Sequence, residues 1–218
     1  GNSLPHDIGK IYASSPSFVF SAIRIARKLN ELEFSLDEGD HLYINFTPIM
    51  GAQEIEVSDR KPVVQIQYVN IGLDKNLFNQ LPLQKQEEQI VALIFKALSC
   101  AADKNQHSKI EECKAALQKY GKFLSITYKK KETTQYEVTA SYQIAPEDLD
   151  CKLIINYRNK KTHEIQTFSY AIRFYEDAYS LVDKIAIKNN VLEIQPKKSF
   201  KANVYNDYYK TPLQFKLS

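Results

Sequence analysis

Residues 85–120 constrain the fold more than any other stretch, because two segments with helical apolar spacing follow each other there. In residues 85–103 the apolar side chains recur every three or four positions, which aligns them on one face of a helix. Further apolar residues widen that face until most sides of the helix are apolar, which is typical of a buried helix. We predict such a helix after Pro82, a residue tolerated where a helix begins. Its apolar positions are Ile90, Val91, Leu93, Ile94, Phe95, Ala97, Leu98, Ala101 and Ala102.

The second segment, residues 108–121, has a helix start, a narrow apolar stripe and a helix stop. Ser108 followed by Glu111 matches a capping box, in which each side chain pairs with a backbone N–H of the first turn. Gly121 can adopt the left-handed conformation that ends helices. The stripe predicts a helix that packs on one side, and consists of Ile110, Cys113, Leu117 and Tyr120.

An earlier helix is predicted from Ser15 and Pro16, which fit a cap and a first helical position. Basic residues, Arg24 among them, follow near its end, where the helix dipole favours them. However, Ile23 and Ile25 around Arg24 also fit an alternating strand, so both alternatives stay open. The helical stripe would consist of Val19, Ala22, Ile23, Ala26 and Leu29.

From residue 32 the apolar period changes to two, which indicates strands. We predict four strands at residues 32–36, 42–46, 55–57 and 64–68, with a turn at 37–40 and a strand end at Pro48. Residues 70–84 are predicted as a loop. A four-stranded antiparallel meander followed by two helices that cover it gives an α+β fold.

After Gly121 the alternation predicts an antiparallel, β-rich second half. Two hairpins fall within residues 123–144 and 153–174, and a third surrounds Asn189 and Asn190. Residues 129–132 and 159–161 are predicted as turns, residues 176–183 as a short helix or loop, and the last 20 residues as a cover for the sheet. Two domains follow, an α+β domain at 1–121 and a β-rich domain at 122–218. Charge supports this division, since residues 1–121 carry 13 Lys and Arg against 15 Asp and Glu, whereas residues 122–218 carry 16 against 11.

No motif predicts catalysis, a cofactor or a metal site. The four histidines, His6, His41, His107 and His163, are far apart in the sequence, and the acidic pairs fall at turns or helix starts. The six glycines form no phosphate-binding loop. We therefore expect a protein that is not an enzyme.

The three cysteines bear on the compartment. Cys100, Cys113 and Cys151 have no metal-like spacing, and we expect free buried thiols, with a disulfide between the first two as the alternative. Free thiols favour a cytoplasmic location. No segment reaches the roughly 18 apolar residues of a membrane span. The chain starts at Gly1 rather than Met, which leaves a removed signal peptide open.

Basic residues in the second half form the candidate binding site. Lysines in predicted turns, interleaved with tyrosines, resemble a surface for phosphates and stacked bases. The alternative is that lysines protect strand edges against aggregation, and an acidic protein would suit the surface as well as a nucleic acid. The candidate residues are Lys129, Lys130, Lys131, Tyr157, Arg158, Lys160 and Lys161.

The first half resembles small bacterial immunity proteins of polymorphic toxin systems. The resemblance rests on the run Tyr43-Ile44-Asn45-Phe46-Thr47-Pro48, on Gly51, on Val64-Gln65-Ile66-Gln67-Tyr68 and on the helix at 90–101. It implies a non-enzymatic cytoplasmic protein that binds a cognate toxin, and it transfers no functional residue. We expect a protein partner, with nucleic acid as the alternative partner and no membrane. A small-ligand carrier or an enzyme, with a pocket between the buried helix and the sheet, is the further alternative.

Overall fold

The computed structural model describes residues 12, 17–36, 41–59, 65–146 and 149–218. It has helices and mostly antiparallel sheets, so the predicted α+β class is confirmed. The chain divides into two compact units, Gly1–Lys119 and Tyr120–Ser218. We call them unit 1 and unit 2.

Among its described residues, unit 1 combines four α-helices with a three-stranded sheet. The helices are α1 (Ser17–Glu31), α2 (Lys75–Gln80), α3 (Leu83–Ala101) and α4 (His107–Tyr120). The strands are β1 (His41–Thr47), β2 (Ile55–Ser58) and β3 (Ile66–Gly72).

The sheet of unit 1 is mixed, so the predicted antiparallel meander is wrong. Its order is β1-β3-β2. Strand β1 pairs in parallel with β3, with His41 opposite Ile66, while β2 pairs antiparallel with β3. Strand β3 therefore lies in the centre, and β1 and β2 do not pair as a hairpin. At its end Gly72 meets the β1–β2 connection so closely that a Cβ there would lie 1.8 Å from the carbonyl oxygen of Gly51.

No strand forms at residues 32–36: Leu32 and Glu33 form the turn that closes α1, and only Leu36 makes an isolated β-bridge. Glu33 has a left-handed φ of 56°, and the Phe34 N–H donates to the Leu29 carbonyl at 2.9 Å. This bond closes the helix in the manner of a left-handed C-cap. The alternating Leu32 and Phe34 therefore belong to a cap. Ser15, Pro16 and the turn at 37–40 lie outside the described residues.

Both predicted central helices are confirmed, but the second begins at His107 and not after a cap at Ser108. Helix α3 buries Ile90, Leu93 and Phe95, as its wide apolar face predicts. Helix α4 buries its predicted stripe except for Tyr120, and Gly121 after it has a φ of 52°. Ser108 is not its cap, because α4 begins at His107, directly after a 3-10 turn at Lys104–Gln106.

The predicted loop at 70–84 contains more structure than expected. Strand β3 continues to Gly72, and α2 follows it. The Asp74 carboxylate caps α2 by accepting from the backbone N–H of Asn76 at 2.8 Å and of Leu77 at 3.0 Å. A six-residue helix has too few residues to show a periodic apolar pattern, whereas its aspartate cap was visible in the sequence.

In unit 2 the described residues form two antiparallel sheets and two short α-helices. One sheet is a meander of β4 (Ser125–Glu132), β5 (Tyr136–Gln143), β6 (Cys151–Asn159) and β7 (Ile165–Ile172). The other has the order β10-β9-β8, with β8 (Lys184–Lys188), β9 (Val191–Gln195) and β10 (Leu213–Lys216). The helices are α5 (Asp177–Leu181) and α6 (Phe200–Asn206).

Most strands of unit 2 lie where alternation predicts them, with two corrections. Residues 129–132 belong to β4 rather than to a turn. The last 20 residues form α6 and β10, which pairs with β9, instead of covering the sheet. The third hairpin is confirmed, and both Asn189 and Asn190 have positive φ, at 51° and 58°.

The core of unit 2 is formed by the inner faces of both sheets. Leu153 and Ile155 of β6 and Leu192 and Ile194 of β9 are fully buried. The rings of Phe168 on β7 and Phe215 on β10 lie 4.9 Å apart. The two sheets of unit 2 thus share apolar contacts as well as hydrogen bonds.

Candidate functional site

The lysines predicted to form a basic turn are part of a strand, and two of them bind neighbouring backbone. The Lys131 ammonium donates to the carbonyl of Ile185 on β8 at 2.6 Å. The Lys129 ammonium donates to the carbonyl of Asp183, just before β8. Both β4 and β8 are edge strands of their sheets. These side chains therefore join two sheet edges, which is a structural role that also blocks further strand pairing.

The remaining predicted residues do not form one basic surface. Lys130 lies 3.3 Å from both Glu132 and Glu137, and Lys160 lies 2.6 Å from Glu132. Hydrogen bonds to Glu137 and Glu132 raise the pKa of Lys130, and bonds from Lys160 and Lys130 lower the pKa of Glu132. This network balances acidic against basic side chains.

Tyr157 is 8% exposed, so its ring cannot stack on a ligand, whereas Arg158 and Lys161 are exposed. Of the predicted site, these two cations remain at the surface beside the Lys130–Glu132–Lys160 network. The sequence could not show this, because the acidic partners come from β4 and β5 and are set by strand register.

The outer face of the sheet in unit 1 carries an ordered set of aromatic and amide side chains. Tyr43 of β1 and Tyr68 of β3 stand opposite each other and stack with ring centroids 5.4 Å apart. Asn45 and Asn70 form the next residue pair on the same face. The Asn45 amide donates to the Asn70 amide oxygen at 3.2 Å, and the Asn70 amide donates to the Glu56 carboxylate at 3.1 Å. We call these five residues the Tyr–Asn face.

The Tyr–Asn face is open in the part of the chain that the structure describes. Tyr43 is 51% exposed, and Asn45 and Glu56 are exposed. The side chains nevertheless hold each other in place through the stack and the two hydrogen bonds. The parallel register of β1 and β3 creates this order, and the sequence alternation alone does not specify it.

A large apolar groove lies between α1 and β1, with α3 at its base. It encloses about 790 Å³. Its α3 side chains, Ile90 and Leu98, are themselves only 4% and 6% exposed, so α3 is buried even where it borders the groove. We call this space the α1–β1 groove. Its lining residues are Phe18, Val19, Ala22, Ile23, Ile25, Ala26, Leu29, Asn30, Phe34, Ser35, Leu36, His41, Leu42, Tyr43, Ile44, Phe46, Ile90, Ile94 and Leu98.

The groove exists because the inner face of the sheet is covered unevenly. Val69 and Ile71 on β3 are 0% exposed, whereas their neighbours on β1, Ile44 and Phe46, are half-buried. On α1 the predicted apolar stripe borders the same space. Its Val19 is 44% exposed. The helical stripe was predicted correctly, but it faces the groove rather than closed core.

On its other side, α1 contacts α3 through polar residues. Arg24 is 4% exposed and donates to the Ser21 hydroxyl at 3.2 Å, and Ser21 donates to Glu87 of α3. The sequence pattern had placed Arg24 among the basic residues at the helix end. Its burial explains why Ile23 and Ile25 flank a charge, because these three residues point to different sides of a helix.

A buried carboxylate in unit 2 fixes the C-terminal segment. Asp177 of α5 is 4% exposed and accepts a hydrogen bond from the Tyr209 hydroxyl and one from the Phe174 backbone N–H at 3.1 Å. The same hydroxyl accepts from the Arg173 backbone N–H at 2.9 Å. Burial and the bond to Asp177 raise the pKa of Tyr209. The arrangement satisfies buried polar groups and holds the tyrosine neutral.

The three cysteines are free thiols, and two of them are buried. Burial raises the pKa of Cys113 to about 12, which leaves it in the unreactive thiol form. Cys100 is exposed on α3, so the prediction that all three are buried is wrong for this residue.

Comparisons with known proteins add no relative. No protein-family model matches the chain, and neither a curated protein nor a solved structure matches it. Within the described residues, no three His, Cys, Asp or Glu side chains are grouped so that they could hold a metal ion. In the same residues, no helix has the length and apolar character needed to cross a bilayer. The resemblance to immunity proteins stays a prediction.

Proposed function

We propose that this chain works by binding another protein, without catalysis, and that the Tyr–Asn face is its binding surface. The observation that carries the proposal is the preformed order of that face. Protein interfaces are enriched in tyrosine, and rigid aromatic side chains lose little conformational entropy on binding. The Asn45–Asn70–Glu56 hydrogen bonds hold polar groups in position before a partner arrives.

The charge of this face favours a partner with a basic surface. Strands β1, β2 and β3 contain no Lys or Arg, while Glu56 lies on the face and Glu54 and Asp59 are exposed beside β2. Oppositely charged surfaces steer association and fix the orientation of partners. A protein that presents lysines or arginines beside an apolar or aromatic patch fits these features.

A nucleic acid fits this face less well. Nucleic-acid affinity depends on neutralising phosphates with lysine and arginine, and the Tyr–Asn face supplies a carboxylate instead. On unit 2, Lys130 and Lys160 are paired with glutamates, and Lys129 and Lys131 bind backbone carbonyls.

The resemblance of the first half to immunity proteins makes a bacterial toxin the partner class that we propose first. An immunity protein acts by occupying the toxin, so it needs a stable surface rather than an active site. The cytoplasmic location is proposed on the same resemblance.

Titration calorimetry with the product of the neighbouring gene tests the proposal. Glu56→Lys should weaken binding at least tenfold, because it reverses the charge that the face carries, and Tyr68→Ala should weaken it similarly by removing the aromatic stack. Glu111→Lys is the matched control, since it makes the same charge change at an exposed position of α4.

Two results would contradict the proposal. Loss of binding in a Lys160→Glu, Lys161→Glu variant, with normal binding by Glu56→Lys, would move the interface to unit 2. Retention of DNA or RNA at low salt that weakens steeply with added salt would favour the nucleic-acid alternative.

A further inference from the structure

We propose that the outer edge of β1 binds an extended segment of a partner protein, which adds to the sheet of unit 1 as a further strand. Strand β1 is an edge strand, since the sheet has the order β1-β3-β2. The inference rests on the proposed function in one respect, namely that this chain binds another protein. It goes further by naming the mode of binding and the kind of segment that binds.

The hydrogen bonds at the two ends of β1 show which backbone groups face its outer edge. The His41 N–H donates to the Gln65 carbonyl at 3.1 Å, and the Leu73 N–H donates to the Thr47 carbonyl at 2.9 Å. Along a strand, residues whose backbone groups bond to one neighbour alternate with residues whose groups point to the opposite side. The odd-numbered residues of β1 therefore bond to β3. The even-numbered residues, which direct their N–H and C=O groups outward, are Leu42, Ile44 and Phe46.

The outward groups at the middle of this edge have no partner within the part of the chain that the structure describes. Neither Ile44 nor Phe46 makes a hydrogen bond on that side, and neither residue is buried. Backbone donors and acceptors need hydrogen-bond partners when they are covered. Another extended polypeptide supplies both kinds of group at strand spacing. The backbone of β1 thus specifies the chemical class of its occupant.

The described residues of β1 also lack the features that usually protect a sheet edge. Strand His41–Thr47 contains no Lys, Arg, Asp, Glu or Pro, and its pairing with β3 runs without a bulge. Natural edge strands are commonly protected by charges, prolines or bulges. The edge strand β4 of unit 2 has such protection, with three lysines and a register shift between Thr127 and Lys129. A regular, uncharged edge is what a strand-adding partner requires.

The side chains beside the edge indicate the sequence of the added strand. Leu42, Ile44 and Phe46 line the α1–β1 groove on the inner face, whereas Tyr43 and Asn45 lie on the Tyr–Asn face. Residues directly opposite each other on neighbouring strands lie on the same face. We therefore expect apolar residues next to the groove, in alternation with polar or aromatic residues beside the Tyr–Asn face.

Calorimetric titration of the full chain with a synthetic peptide is the first test. The peptide has about seven alternating valines and threonines, the length of β1, and a lysine at each end. We expect saturable binding. Two further peptides carry N-methyl groups on all valines or on all threonines. Because every second N–H of an added strand faces its neighbour, one of them should bind at least tenfold more weakly than the parent peptide and the other about equally well.

A proline at the edge is the second test. Ile44→Pro removes one outward N–H and no bond to β3, and proline is tolerated on edge strands in that position. It should weaken binding of the parent peptide and of the neighbouring gene's product at least tenfold. Val57→Pro is the matched control on the other edge strand, β2. There the Glu54 carbonyl accepts from the Gly72 N–H, so Val57 also directs its N–H away from β3.

Circular dichroism verifies that the variants fold. Ile44→Lys, which places a charge at the edge, replaces Ile44→Pro if that variant does not fold. Absence of saturable peptide binding, or equal binding by the two methylated peptides, would overturn the inference. So would dimerisation of the native chain, measured by sedimentation and abolished by Ile44→Pro, because a second copy would then occupy the edge.

The outcome also separates this inference from the proposed function. If Tyr68→Ala loses the neighbouring gene's product and Ile44→Pro retains it, the Tyr–Asn face remains the binding surface and strand addition is wrong. If that product does not bind the native chain, but the peptides behave as expected, the edge is a strand-binding site and the proposed toxin partner is wrong.

Discussion

The sheets of units 1 and 2 differ in how far other elements cover their faces and edges. In unit 2 two sheets cover each other, and lysines from β4 occupy carbonyl groups at and beside the edge strand β8. Among the residues that the structure describes in unit 1, one sheet has one face open and the other only partly covered. The comparison teaches that the sheets of unit 2 close on each other, whereas the described residues of unit 1 leave two surfaces of its sheet uncovered.

The largest expected difference between the units comes from truncating the same residue type in each. Ile155→Ala in unit 2 should lower the free energy of unfolding by about 3 kcal/mol, because it leaves a cavity in a closed core. Ile44→Ala in unit 1 should cost about 1 kcal/mol, since its side chain borders a groove that already exists. Denaturant unfolding followed by circular dichroism measures both. Equal losses would show that the groove is as tightly packed as the core of unit 2.

The second-largest expected change in the free energy of unfolding comes from the buried carboxylate of unit 2. Tyr209→Phe should lower the free energy of unfolding by about 2 kcal/mol at neutral pH, because Asp177 loses a donor in a buried position.

The same variant has a signature in alkaline solution. The pKa of Tyr209 is raised above its ordinary value of 10.0 in the folded state, so this hydroxyl stabilises the fold fully below pH 10 and its contribution is lost as the pH rises further. In the native chain, stability should fall above about pH 10, and Tyr209→Phe should reduce that fall. Unchanged pH profiles in both proteins would contradict the buried hydrogen bond.

The lysines of β4 test whether hydrogen bonds between sheet edges stabilise unit 2. Lys131→Met should lower the free energy of unfolding by about 1 kcal/mol, because the hydrogen bond to the Ile185 carbonyl is lost while the aliphatic stem is kept. Lys130→Met is its neighbour and control, and should lower the free energy of unfolding by less than Lys131→Met does, since an exposed ion pair contributes little. Equal costs would mean that Lys131 does not join the two edges.

The smallest perturbation is chemical labelling, which requires no substitution. A thiol reagent should modify one cysteine in the native chain, Cys100, and all three after denaturation, because Cys113 and Cys151 are buried. Rapid native labelling of Cys151 would show that unit 2 opens more readily than its closed sheets indicate.

Sequence periodicity predicts individual elements in both units far better than it predicts their partners. The three- and four-residue spacing along α3 and the alternation along β5 and β6 come from each segment's own burial pattern, so they are visible in the sequence. The parallel pairing of β1 with β3 is not, because alternation is the same for parallel and antiparallel neighbours. The Tyr–Asn face depends on that pairing and was missed for this reason.

The basic residues show a second limit of prediction from the sequence. Lys129, Lys130 and Lys131 were assigned to a turn because a run of lysines has no apolar alternation. In the structure their ammonium groups bind the carbonyls of Asp183 and Ile185 or the glutamates of β4 and β5. The α1–β1 groove is a third case, since the stripe on α1 predicts an apolar face but not whether another element covers it.

The pairing of β1 with β3 also bears on how the chain assembles. His41 finds its partner, Ile66, 25 positions later, with β2 between them. In unit 2 each strand of the four-stranded meander pairs with the next one along the chain, so every ladder closes a short loop at a small entropic cost. During synthesis β1 leaves the ribosome before its partner exists. Its backbone N–H and C=O groups then stay without their ladder partners until β3 arrives, and an unpaired strand edge is prone to aggregation in that interval.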